Sequence, residues 1–159
     1  MNNFLSGLAL VLALSPLSAF ADAGSANMSL TCNGNVRAVI AGHGTYPSTS
    51  GNPIAEIPVV SGDGDFPWNA SLAAPAKFVV GQETFSVTPK YSYRHANGEG
   101  RVEVQVKYLR SGLVNTATGT AIDQPLTQIR AESTQEILLK DQTLLQVTVS
   151  CGLVPTNSN

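Results

Sequence analysis

The sequence predicts an all-β fold: a single antiparallel β-sandwich, immunoglobulin-like or a closely related barrel, closed by a disulfide between its first and last strands. Three observations carry that expectation. Thr, Ser, Gly and Val abound while only 13% of residues are charged, a composition that suits strands joined by Gly and Pro turns. Period-two alternation recurs along the second half, and no helical period of apolar residues follows the leader. The two cysteines, Cys32 and Cys151, stand 119 positions apart, one towards each end of the chain.

The first element is a leader. Phe4 to Leu14 is an almost unbroken apolar run, Ser15-Pro16 breaks it, and Ala19-Phe20-Ala21 supplies small residues where a signal peptidase reads. Residues 1–21 are therefore expected to be a signal peptide cleaved after Ala21, and residues 22–159 one exported domain, secreted or periplasmic. The run falls short of the ~20 residues that cross a bilayer, so no transmembrane segment is expected. Outside the cytoplasm Cys32 and Cys151 can oxidise. The pair reads as structural rather than metal-binding, since no CxxC or His-rich tract accompanies it.

Met28 to Cys32 and Val36 to Ala41 read as short strands around the turn signal Asn33-Gly34-Asn35. Ile54 to Val60 reads as a strand that Pro53 and Pro58 push to a sheet edge. Ser61 to Pro75 reads as loop. There Asp63-Gly64-Asp65 lacks the further oxygen ligands of a calcium site and reads as a solvated turn. Phe66-Pro67-Trp68 either exposes an aromatic that stacks on sugars or plugs one end of the core. Lys77 to Val80, Thr84 to Arg94, Arg101 to Leu109, Gln128 to Leu139 and Thr143 to Cys151 complete the strands. Their inward positions predict a core of Val87, Tyr91, Tyr93, Val102, Val104, Val106, Leu145, Val147 and Val149.

Two turns fix registers. Asn97-Gly98 predicts a two-residue type I′ hairpin that opposes Tyr93 to Val102, Tyr91 to Val104 and Arg94 to Arg101. Lys140-Asp141-Gln142 predicts a three-residue turn opposing Ile137 to Leu145. Leu138 and Leu144 then fall on the outer face, where apolar pairs imply a covering loop, sheet or partner.

Nine basic against eleven acidic residues give a net charge of −2, which excludes wholesale binding to nucleic acid. No GxSxG elbow or HExxH pair occurs, and two histidines, His43 and His95, are too few for a zinc site, so no metal, cofactor or catalytic group is expected. Five basic residues, Lys90, Arg94, Arg101, Lys107 and Arg110, gather along one hairpin. Lys90, Arg94, Arg101 and Lys107 form the candidate anion-binding set, because an anion between two opposed guanidinium groups relieves their repulsion. The expected function is a non-enzymatic binding or assembly module with a protein or anionic-glycan partner. The alternative is an exported hydrolase using His43 or His95.

The cadence from Phe85-Ser86-Val87-Thr88-Pro89 through the valine strand to Leu139-Lys140-Asp141-Gln142 resembles the membrane-end domain of bacterial secretins. That resemblance implies an envelope-assembly component. It covers only the second half, and the usual glycine after Asp141 is absent, so no residue roles are taken from it.

Overall fold

The computed structural model describes residues 27–40, 52–62, 64–66, 68–122 and 126–156. The leader and His43 lie outside them. The described chain is nearly all strand: β1 Met28–Ile40, β2 Ala55–Pro58, β3 Val60–Ser61, β4 Trp68–Ser71, β5 Ala76–Val80, β6 Glu83–Arg94, β7 Glu99–Tyr108, β8 Val114–Ile122, β9 Arg130–Leu138 and β10 Leu144–Pro155. A single turn of 3₁₀ helix, Leu126–Gln128, precedes β9.

The strands form two antiparallel sheets packed face to face. One runs β2-β1-β10-β9; the other runs β3-β4-β6-β7-β8, with β5 also paired to β6. Each sheet turns its alternate apolar residues inward. Every predicted core residue is buried except Tyr93, which is half-buried against the core. Pro58, with no N–H to give a ladder, ends β2 at the edge of the first sheet, as expected. After Val59 the chain enters the second sheet as β3, so one bend joins the two layers at that side.

On the opposite side the sheets nearly close. The small inward residues of β8 lie over the free edge of β9: Asn115 Nδ2 donates to the Thr134 carbonyl at 2.8 Å, and Gly119 rests on the Arg130 carbonyl. Cys32 and Cys151 face each other across the central β1–β10 ladder and form the disulfide. The bond therefore lies within one sheet, joining the first strand to the last.

Three expectations are corrected. The turn at Asn33-Gly34-Asn35 does not form; β1 runs straight through it, paired with Ser150, Val149 and Thr148. Gly34 is there because the Phe78 ring lies against the backbone, and a Cβ would sit 2.4 Å from Phe78 Cζ. Trp68–Ser71 and Val114–Ile122 are strands although neither shows strong apolar alternation. The Asn97-Gly98 hairpin has a four-residue loop, His95 to Gly98, that pairs Arg94 with Glu99 and Tyr93 with Gly100. A type I′ turn needs positive φ at both central residues; here Gly98 has it and Asn97 does not. Asn97 instead accepts the Glu99 N–H on Oδ1 and donates Nδ2 to the Glu99 carboxylate. The slip is two residues, so every side chain keeps its predicted face. The Leu139–Thr143 turn follows expectation, with Ile137 opposite Leu145.

Candidate functional site

The outer face of the second sheet is a polar grid fixed by strand register. Across β4, β6, β7 and β8, one row reads Asn69, Ser92, Arg101, Thr120, and the next reads Ser71, Lys90, Glu103, Thr118. Arg94 and Glu99 form the row nearest the hairpin loop. These residues alternate with the core positions Tyr91 and Val102, which is why each is delivered to the surface.

A cleft of about 550 Å³ lies over the grid, lined by Phe66, Asn69, Ser71, Lys90, Ser92, Arg94, Glu99, Arg101 and Glu103, with Tyr91 beneath. Its floor is hydroxyl and amide, its walls are charged, and Phe66 forms one lip. Phe66 is 41% exposed, and the Arg94 guanidinium sits 5.3 Å from its ring centroid, a cation–π contact that orients the charge. Trp68, by contrast, packs against the core from β4, opposite Tyr93. Phe66 is thus the exposed aromatic of the pair and Trp68 the one that packs on the core.

Lys90, Arg94 and Arg101 are brought together in this cleft. Lys107 shares their face but lies farther along β7, opposite Ser86, and lines no part of it. The expected opposition of Arg94 to Arg101 is corrected: Arg101 faces Ser92, and Arg94 faces Glu99. The direct opposition that motivated an anion between them is therefore absent, and the two are diagonal neighbours. Arg101 is paired with Glu103 at 3.0 Å. Arg94 and Lys90 make no ion pair among the described residues, which leaves two cations available to a ligand. Six lining residues, Phe66, Asn69, Ser71, Ser92, Glu99 and Glu103, lay outside the predicted set. Phe66 carried a signal in its flanking proline and tryptophan; the small polar residues of β4 carried none.

His95 is exposed in the hairpin loop, where its backbone N–H donates to the Asp65 carbonyl at 3.0 Å. At the other end of the second sheet, the buried Glu83 carboxylate accepts from Tyr108 Oη at 2.5 Å and Arg110 Nη1 at 2.8 Å. Arg110 is thereby committed to structure. Among the described residues no helix is long and apolar enough to cross a membrane.

No known protein family, curated protein or solved structure matches this chain. The secretin resemblance gains nothing from these comparisons, and any functional reading rests on the cleft itself.

Proposed function

We propose that this chain is an exported, non-enzymatic binding module whose cleft on the second sheet takes an acidic glycan. The observation that carries the reading is the meeting of two cations that make no ion pair among the described residues, Lys90 and Arg94, with a floor of neutral hydrogen-bonding groups and the Phe66 lip. A sugar acid offers what each feature accepts. Its carboxylate meets the guanidinium fork, its hydroxyls meet Asn69, Ser71 and Ser92, and a C–H face lies on the ring. Glu99 and Glu103 accept hydroxyl protons and disfavour polyanions lacking hydroxyl donors. The disulfide supports an oxidising compartment, and the apolar leader supports export.

The test is direct binding of oligogalacturonate and of a neutral β-glucan to wild type, Lys90→Gln and Arg94→Gln. Wild type is expected to prefer the acidic oligomer, each variant to bind it about tenfold more weakly, and affinity to fall as salt rises. Equal binding of both glycans, or variants indistinguishable from wild type, would sink the proposal.

A further inference from the structure

β8 ends the second sheet, and among the described residues no backbone hydrogen bond reaches its side away from β7. Free edges invite other strands, and folded proteins blunt them. The other edges here obey that rule. β2 is four residues long and carries Glu56 and Pro58, β3 is two residues long, β5 is short and carries Lys77, and the edge of β9 is covered by β8. β8 has none of these devices: nine residues, Val-Asn-Thr-Ala-Thr-Gly-Thr-Ala-Ile, with no charge and no proline. Its outer positions Val114, Thr116, Thr118, Thr120 and Ile122 are all exposed.

The order of those residues says what the edge fits. Read about Thr118, the strand is nearly palindromic: Val114 answers Ile122, Thr116 answers Thr120, and Thr118 answers itself. On the inner face Ala117 answers Gly119, and Asn115 answers Ala121. Antiparallel strands place such pairs directly opposite, where β-branched and Thr–Thr pairs are favourable. We propose that β8 pairs with the β8 strand of a second copy of this chain, antiparallel and centred on Thr118, making a continuous sheet across a two-fold dimer. The arrangement shields Val114 and Ile122, which are 47% and 53% exposed in the single chain. It also places the two glycan clefts on one continuous face.

Sedimentation equilibrium of the processed, oxidised protein tests it. Wild type is expected to dimerise reversibly. Thr116→Lys with Thr120→Lys sets two like-charged pairs across the axis and should weaken dimerisation at least about tenfold. Thr116→Lys with Thr120→Glu sets opposite charges across the same axis and should restore it. Within one chain these positions are four residues apart on an exposed face, so folding is unaffected, as circular dichroism can check. A Thr118→Cys variant should crosslink to itself under mild oxidation, and Thr116→Cys should not. A wild type that stays monomeric at on the order of 1 mM, or a dimer indifferent to the Lys-Lys pair, would overturn the proposal. Equal crosslinking at both positions would overturn it too.

Discussion

Among the described residues Tyr91 is the largest wholly buried side chain, and its hydroxyl finds no hydrogen-bond partner there. Burial first, and Tyr93 second, push its phenol above the usual range. The sign follows from linkage. The folded state holds the proton more tightly than the unfolded chain, so this contribution is complete below about pH 10 and is lost as pH climbs beyond it. Tyr91→Phe removes both the orphan hydroxyl and the titration. We expect it to raise stability by about 1 kcal/mol at neutral pH. Its urea midpoint should also fall less than that of wild type between about pH 9 and 11. Glu83 is the opposite case, a buried carboxylate with its partners in place. Tyr108→Phe should cost about 2 kcal/mol by removing a hydrogen bond to a charged group. Thermal unfolding of the two variants separates the cases by sign.

The elements show how much a single sequence discloses. Strands facing a thick apolar core were legible, because Val102, Val104, Val106 and Leu145, Val147, Val149 announce their faces by size alone. β8 was not legible, and the reason is physical. Asn115 and Gly119 meet the backbone edge of β9, and Ala117 and Ala121 reach only the margin of the core, so the inward residues are Asn, Ala, Gly and Ala. At Gly119 an ideal Cβ would sit 1.8 Å from the Arg130 carbonyl oxygen. Gly119→Ala must therefore lift β8 from β9 and should cost about 2 kcal/mol or more, measured by denaturant unfolding. The cleft was half legible for a related reason. Charge clustering revealed Lys90, Arg94 and Arg101, but their spacing depended on a loop length that the Asn-Gly signal left open. Parity survived the two-residue slip, so the face was right while the opposed pair was wrong.

For the whole molecule, the disulfide and the cleft sit in different sheets. Cys32 and Cys151 are wholly buried, and their bond constrains a span of 119 residues in the unfolded chain. The chain-entropy argument assigns such a link roughly 4–5 kcal/mol. Replacing both cysteines by alanine should lower the denaturant midpoint accordingly while the glycan affinity, measured below that midpoint, stays unchanged. A loss of affinity with the fold intact would tie the cleft to the first sheet, which nothing in its lining does. An acidic glycan bound on the outer face of β4, β6 and β7 would be seen residue by residue in backbone amide chemical-shift mapping during titration with oligogalacturonate. Saturable shifts are expected, concentrated at Phe66, Asn69 to Ser71, Lys90 to Arg94 and Glu99 to Glu103. Shifts confined to the β9–β10 face, or none at millimolar ligand, would contradict glycan binding there.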